Sequence, residues 1–126
     1  MPLDNNMAFK TVNIALLTVS DTRGPDDDTS GDLLAERIRA AGHKIIERAI
    51  LRDDTALITA RLHNWIDDEN IDVVISTGGT GLTGRDVTPE ALDRVKTKDI
   101  PGFGELFRWL SFASIGTSTI QSRACA

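Results

Sequence analysis

Two residues of opposite charge, Arg85 and Asp86, directly follow a glycine-rich segment at residues 77–84. An apolar run at residues 71–75 leads into that segment, as a buried strand would. A strand that ends in a glycine-rich loop exposes backbone N–H groups at the carboxyl edge of a sheet, where phosphates and nucleotides bind in open α/β folds. The pattern therefore predicts an anion site in which Asp86 is also a candidate metal ligand.

The glycine-rich segment has several interpretations. A Walker P-loop requires Lys followed by Ser or Thr after the last glycine, whereas Arg85 and Asp86 follow Gly84. Residues 79–84 match the dinucleotide pattern G-x-G-x-x-G, but they follow the third predicted strand, and the next helix begins only near Pro89. Two interpretations remain, a phosphate-binding loop of another lineage and a turn without ligand. Glycine readily adopts positive φ angles, which suit both.

The elements that would position these residues alternate between strands and helices. Hydrophobic patterning predicts strands at 13–19, 44–51 and 71–76, and helices at 32–41, 55–68, 89–95 and 103–112. Two strand–helix–strand crossovers imply an α/β fold with a parallel sheet and helices on its faces. Thr29 or Ser30 would cap the first helix, and Thr88 would cap the third, with Pro89 in its first turn.

Composition narrows the classes of protein. With 126 residues the chain is long enough for one domain with a core and too short to suggest two. Its net charge of −5 argues against nucleic-acid binding, and no apolar stretch approaches the roughly 20 residues of a membrane span. Residues 1–10 lack the apolar core of a signal peptide, and a single cysteine, Cys125, fits a reducing compartment. We therefore expect a cytoplasmic protein without nucleic-acid or membrane partners.

Two further groups could suggest metal sites, but simpler interpretations are available. The acidic run Asp26, Asp27 and Asp28 is interpreted as a solvated loop. His43 and His63 have no Cys or His partner at ligand spacing, so the sequence does not indicate zinc.

The motifs T-G-G-T-G at residues 77–81 and R-D-V-T-P-E at residues 85–90 resemble the signature of the molybdenum-cofactor biosynthesis family known as MoaB/Mog. Other similar segments are a first loop at 18–23 and 30–31, a downstream motif at 101–108, and a segment at 116–123. The last of these favours the bacterial MoaB branch, and the similarity covers most of the chain.

The resemblance implies a three-layer α/β/α fold with a mainly parallel sheet, and one molybdopterin-binding domain over residues 1–126. It implies a trimer or, in the MoaB branch, a hexamer. It also implies a nucleotidyltransferase that binds molybdopterin and transfers AMP from ATP to its terminal phosphate with Mg²⁺. Family members continue past the segment matching residues 116–123 into another strand and a final helix, so we expect this chain to lack that part of the pterin pocket.

The resemblance also implies roles for particular residues. Asp53 and Asp86 would be catalytic residues that bind Mg²⁺ and position the ATP phosphates. From the residues alone, a helix cap is the preferred interpretation of Asp53, and Asp86 is equally a turn residue. The implied pterin- and nucleotide-binding residues are Ser20, Asp21, Thr77, Gly78, Gly79, Thr80, Gly81, Ser122 and Arg123. For Asp21 a solvated loop aspartate is the alternative.

Two other functions are also compatible with the sequence. One is a non-catalytic member of the same fold that binds pterin or acts as an oligomeric scaffold. The other is the related domain of competence-damage proteins, which hydrolyses nucleotides that contain pyrophosphate. The helix at 103–112 is apolar on more than one side, and we interpret it as a subunit contact rather than as core.

Overall fold

The computed structural model describes residues 2–126. Its elements are β1 (Asn13–Val19), α1 (Thr29–Ala40), β2 (Lys44–Leu51), α2 (Thr55–Ile66), β3 (Val73–Thr77), α3 (Thr88–Val95), α4 (Pro101–Ile115) and a 3-10 helix (Gly116–Gln121). The strands form one sheet in the order β2-β1-β3, and β1 pairs in parallel with both neighbours. The predicted α/β class, a parallel sheet flanked by helices, is confirmed.

The centre of the fold is β1, which is buried on both faces. Ala15, Leu17 and Val19 pack into one apolar cluster with residues of α2, α3 and the neighbouring strands. Ile14 and Leu16 point to the opposite face and pack against α1. The near-continuous apolar run arises because alternate side chains of a parallel strand meet helices on opposite sides.

The predicted bounds hold for β1 and β2 and differ at other elements. The second helix ends at Ile66 rather than at residue 68, and the third strand covers Val73–Thr77 rather than 71–76. The last helix extends over Pro101–Ile115 rather than 103–112. Proline is accepted in its first turn, where no helical N–H bond is lost, and Gly116 ends it with a φ of 61°.

The cap of α1 is Asp28 rather than Thr29 or Ser30. The Asp28 carboxylate accepts a hydrogen bond from the Gly31 N–H at 3.1 Å, and the helix already includes Thr29. Local spacing had indicated Thr29 or Ser30, but the preceding aspartate, which is held by partners elsewhere in the fold, is the cap.

The interpretation of the acidic run as a solvated loop is wrong for Asp28, although Asp26 and Asp27 are exposed. Asp28 is fully buried. Its Oδ2 accepts hydrogen bonds from the Thr18 hydroxyl at 2.9 Å and from the Arg48 guanidinium at 2.8 Å. These donors, from β1 and β2, compensate the carboxylate for its lost hydration.

The fourth helix buries only one residue, Gly104, and leaves its large apolar side chains exposed. Those side chains are Phe103, Leu106, Phe107, Trp109, Leu110, Phe112 and Ile115, which together we call the α4 apolar surface. Among residues 2–126 no helix combines the length and hydropathy that crossing a membrane requires.

Candidate functional site

The carboxyl ends of the three strands meet at one edge of the sheet. Val19 pairs with Leu51, and Thr18 pairs with Thr77, so the three chain segments leave the sheet at the same level. The loops that follow therefore bring Asp21 and Asp53 together. The backbone N–H of Asp53 donates to Asp21 Oδ1 at 3.0 Å.

The glycine loop packs tightly against the end of β1, and this packing requires glycine. Gly78 and Gly79 have φ angles of 94° and 68°, which side chains disfavour. A Cβ on Gly78 would lie 2.1 Å from the Val19 carbonyl oxygen. A Cβ on Gly79 would lie 2.3 Å from Thr88 Oγ1 and 2.9 Å from Asp53 Oδ1. The loop backbone at Gly79 therefore lies so close to Asp53 that no side chain fits between them.

Thr88 connects this loop to α3 and does not cap the helix as predicted. It is the first helical residue, and Val87 at the cap position makes no side-chain capping bond. The Thr88 hydroxyl donates to the Gly78 carbonyl at 2.8 Å, and its N–H donates to the Gly79 carbonyl at 3.0 Å. The Thr88 hydroxyl therefore bonds a carbonyl ten residues earlier in the sequence instead of capping its own helix.

Asp53 contains a buried oxygen without a partner. Among residues 2–126, Asp53 Oδ1 is inaccessible to solvent and accepts no hydrogen bond. Burial raises the pKa of the Asp53 carboxyl, and the nearby charges of Asp21 and Asp86 raise it further, against the opposing effect of Arg85. Such an oxygen costs free energy unless a donor or cation reaches it. Asp53 does not cap α2, although the residues alone had suggested it. The cap is Asp54, whose side chain accepts a hydrogen bond from the Leu57 N–H at 3.0 Å.

Asp86 lies against the glycine loop at Gly81. Its Oδ2 accepts a hydrogen bond from the Thr83 hydroxyl at 2.5 Å, and its N–H donates to the Thr83 carbonyl at 3.1 Å. A Cβ on Gly81 would lie 2.8 Å from Asp86 Oδ2. Asp86 thus closes a local turn and places a carboxylate against the loop backbone at the same time.

An ion pair spans the opening between the first loop and the glycine loop. Arg85 donates from Nη2 and Nε to Asp21 Oδ2, at 2.6 and 3.2 Å. The hydrogen bond from Arg85, together with that from the Asp53 N–H, lowers the pKa of Asp21. The Arg85 side chain is 75% exposed, so this pair faces solvent. The sequence predicted Arg85 as part of an anion site but not its pairing with Asp21, for which the opposite charges were the available signal.

The other predicted binding residues lie around this edge of the sheet. Thr77 is the last residue of β3, and the Ser20 hydroxyl accepts hydrogen bonds from the N–H groups of Thr22 and Arg23 within the first loop. Ser122 and Arg123 follow the 3-10 helix, and the Arg123 N–H donates to the carbonyl of the glycine-loop residue at position 80, at 3.0 Å. The structure therefore brings all the predicted segments to one edge.

The carboxylates do not form a complete metal site by themselves. Within residues 2–126 no three His, Cys, Asp or Glu side chains are grouped closely enough to hold an ion. Asp53 lies beside Gly79 and Asp86 beside Gly81, and the rest of any coordination shell would have to come from a ligand. This geometry can hold polyanions: it offers loop amides, an exposed guanidinium and carboxylates for a divalent cation.

The fold and the site define a class of protein. It is a parallel α/β domain with a glycine loop and nearby carboxylates at the carboxyl edge of its sheet. Residues 15–125 match the family described as "Probable molybdopterin binding domain", and the chain belongs to this family. The chain is 48% identical over 118 residues to the Molybdenum cofactor biosynthesis protein B of Escherichia coli K12, covering 94% of this chain and 69% of that protein.

Solved structures agree with this assignment. A crystal structure of a Molybdenum cofactor biosynthesis protein B superimposes with a TM-score of 0.88 and 44% identity, covering 94% of this chain and 74% of that one. The tungsten cofactor synthesizing protein MoaB from Pyrococcus furiosus gives a TM-score of 0.82 and 36% identity over the same shares. The resemblance to the MoaB/Mog family is confirmed, and it associates the chain with molybdenum cofactor biosynthesis.

Proposed function

We propose that this chain binds molybdopterin and adenylylates it with Mg-ATP. The observation that carries the proposal is the buried, unpartnered Asp53 Oδ1 beside the glycine loop. Buried polar atoms in folded proteins nearly always have a partner, so one without a partner at a predicted ligand site marks where a ligand or ion belongs. Membership of the molybdopterin-binding family supports the same conclusion.

Asp53 and Asp86 fit the requirements of a magnesium ion bound together with a nucleotide. Mg²⁺ is commonly held by one or two carboxylates and substrate phosphates rather than by a complete protein shell. Two carboxylates that flank the loop, with no third acidic or histidine ligand in a group with them among residues 2–126, match that pattern. When bound, the ion would neutralise charge on the phosphates.

In the proposed reaction, an oxygen of the terminal phosphate of molybdopterin attacks the α-phosphorus of ATP. The new P–O bond forms as the bond from that phosphorus to the oxygen bridging the β-phosphate breaks, and pyrophosphate leaves with the electron pair. Because both substrates are polyanions, positioning and charge compensation carry most of the catalysis. We expect the reaction to take place in the cytoplasm.

The chain contributes to both tasks. The amides of residues 78–81 would face phosphate oxygens, and Arg85 would supply a positive charge at the opening. Ser20, Asp21 and Thr77 would line the facing wall of the crevice, as the family resemblance implies. The carboxylates of Asp53 and Asp86 would hold the cation that accompanies ATP.

The direct test incubates the chain with ATP, Mg²⁺ and molybdopterin and measures adenylylated pterin and pyrophosphate. We expect both products in equal amounts, and their loss in Asp86→Asn, which preserves the shape of the side chain without its charge. Asp26→Asn is the matched control, because Asp26 is an exposed aspartate of the first loop. Full activity in Asp86→Asn contradicts the proposal. Binding of both substrates without turnover would instead support a non-catalytic member of the family.

We also propose that the chain forms a homo-oligomer, a trimer or a hexamer, through the α4 apolar surface. Trp109 is 72% exposed and Leu110 59% exposed on this helix. Contiguous apolar patches of this kind mark interaction sites. Sedimentation velocity should show an oligomer that Leu106→Glu dissociates. Leu33→Glu, at an exposed apolar residue of α1, should leave it intact. A monomeric wild-type chain would refute the proposal.

A further inference from the structure

Arg123 is bonded to the rear of the glycine loop by its side chain and its backbone. Its Nε donates to the Gly81 carbonyl at 2.8 Å, and its Nη2 donates to the Asp86 carbonyl at 2.7 Å. Nη1 and Nη2 also bond the Glu90 carboxylate, and its own N–H donates to the Thr80 carbonyl at 3.0 Å. All three guanidinium nitrogens therefore have protein partners.

We propose that Arg123 is a positioning residue that fixes the backbone of the glycine loop, and that Arg85 is the arginine that meets the anionic substrate. The second part rests on the function proposed above. The first part is independent of that function, because it concerns how the loop is held when no substrate is bound.

The peptide geometry explains what the Arg123 contacts achieve. In a trans peptide the carbonyl and the following N–H point in opposite directions, and the described residues contain no cis peptide bond. Because Arg123 attracts the carbonyls of Thr80 and Gly81, the N–H groups of Gly81 and Leu82 point away from Arg123. Among residues 2–126 these two N–H groups donate no hydrogen bond. Arg123 therefore leaves two loop amides directed away from itself and open to an anion.

A guanidinium suits this task because it is planar and always charged. Its fixed fork can bond two carbonyls and a carboxylate in one arrangement, whereas a lysine ammonium offers a point charge without that geometry. The Arg123 side chain is 30% exposed, and its bonds to the Gly81 and Asp86 carbonyls are partly buried.

Arg85 has the opposite environment. Its side chain is 75% exposed, and Asp21 is its side-chain partner. Within residues 2–126 its Nη1 donates no hydrogen bond. Exposed ion pairs contribute little to stability, so a phosphate can replace Asp21 at low cost.

The experiment compares Arg123→Lys and Arg123→Gln with the matched pair Arg85→Lys and Arg85→Gln. Two quantities are measured: amide hydrogen exchange without ligand at Asp86 and Thr88, whose N–H groups donate to the Thr83 and Gly79 carbonyls, and the dissociation constant for Mg-ATP at low and high salt. Lysine preserves the charge and loses the fork, whereas glutamine loses both. The two substitutions therefore separate a positioning role from a charge role.

For Arg123 we expect both variants to increase exchange at Asp86 and Thr88, with exchange in β1 unchanged. Both should weaken Mg-ATP binding by about 10- to 100-fold, as loss of an orienting contact behind a ligand site does. Added guanidinium should restore protection in Arg123→Ala. For Arg85 we expect wild-type exchange in both variants. Arg85→Lys should keep most of the affinity, and Arg85→Gln should weaken binding and reduce its salt dependence.

The proposal for Arg123 is overturned if Arg123→Lys binds Mg-ATP like the wild type while Arg123→Gln does not, with loop exchange unchanged in both. If the wild type binds no Mg-ATP, the proposed function fails, but loop exchange still tests Arg123. If both Arg123 variants fail to fold, Glu90→Gln tests the same arrangement, because it loosens the guanidinium without removing it. Unchanged exchange at Asp86 and Thr88 in that variant would also contradict the proposal.

Discussion

Asp28 and Asp53 both place carboxylate oxygens inside the protein, and they differ in whether hydrogen-bond donors reach those oxygens. Asp28 accepts hydrogen bonds from Thr18, Gly31 and Arg48. Burial alone would raise its pKa, but these hydrogen bonds hold the pKa of Asp28 below its ordinary value. Asp53 has a buried oxygen with no partner among residues 2–126, and burial with two nearby carboxylates raises its pKa.

The difference separates a structural carboxylate from a candidate catalytic one. At Asp28 the fold supplies the hydrogen-bond donors and the positive charge that a buried carboxylate requires, so removing the carboxylate should destabilise the fold. At Asp53 the fold leaves the compensation incomplete, so removing the charge should relieve the fold and damage ligand binding. The predictions that follow test this contrast.

The largest expected effect is on catalysis in Asp53→Asn. The adenylylation rate should fall on the order of 10³-fold, about 4 kcal/mol of transition-state stabilisation, because the amide cannot balance the charge of a cation. The thermal midpoint should stay equal or rise, since an uncompensated buried charge is removed. Single-turnover kinetics and a melting curve on the same preparation measure both.

Asp54→Asn is the control for this variant, because Asp54 caps α2 and asparagine caps equally well. It should keep wild-type turnover. An equal loss in Asp54→Asn would attribute the effect to the helix start, and a wild-type rate in Asp53→Asn would remove Asp53 from the catalytic machinery.

The second effect is on stability in Asp28→Ala. The free energy of unfolding should fall by about 3 kcal/mol, because the substitution removes a helix cap and leaves the Arg48 guanidinium and the Thr18 hydroxyl without their partner. Urea unfolding measures this value. Asp26→Ala, an exposed neighbour, should change it by less than about 0.5 kcal/mol. A loss below about 1 kcal/mol in Asp28→Ala would show that Asp28 is not the structural carboxylate of the pair.

The sequence predicted the framework of this molecule well, because periodicity is a local signal. The predicted bounds of β1, an apolar run, and of β2 hold, and the parallel sheet follows from the order of strands and helices. The family resemblance placed Asp53 and Asp86 in one site, and the structure brings Asp53 beside Gly79 and Asp86 beside Gly81 of the glycine loop. Their catalytic roles remain predictions.

The contrast between Asp28 and Asp53 could not be predicted, because it depends on partners distant in sequence. Asp28 is one of three consecutive aspartates, and only the positions of Thr18 and Arg48 in the folded sheet distinguish it. In the same way, the Thr88 hydroxyl bonds Gly78 rather than capping its helix. Local spacing determines which residues can cap or bind, and tertiary contacts determine which of them do.

A third prediction concerns pH. The pKa of Asp28 lies below its ordinary 3.8 in the folded chain, so its stabilisation is complete above pH 3.8 and is lost as pH falls through the folded-state value. The pKa of Asp53 lies above 3.8, so its carboxylate increasingly destabilises the fold as pH rises from 3.8 through the folded-state value. At neutral pH, Asp28→Asn should be less stable than wild type and Asp53→Asn more stable.

Urea unfolding of the three proteins from neutral to acidic pH measures these differences. Both should shrink as pH falls, since protonation makes each wild-type carboxyl neutral like the amide. Differences of the same sign at neutral pH would contradict the contrast between the two aspartates.

The smallest expected effect comes from Asp21→Asn. Within residues 2–126 the Asp21 carboxylate is paired, unlike Asp53 Oδ1, but its partner Arg85 is exposed, unlike the partners of Asp28. The unfolding midpoint should not change measurably, because exposed ion pairs contribute little. Inorganic pyrophosphate should bind about two- to fivefold more tightly by calorimetry, since Asp21 no longer competes for Arg85. Weaker binding would identify Asp21 as a ligand rather than a competitor. Asp21 also raises the pKa of Asp53, so this variant should lower the pH at which Asp53 loses its proton.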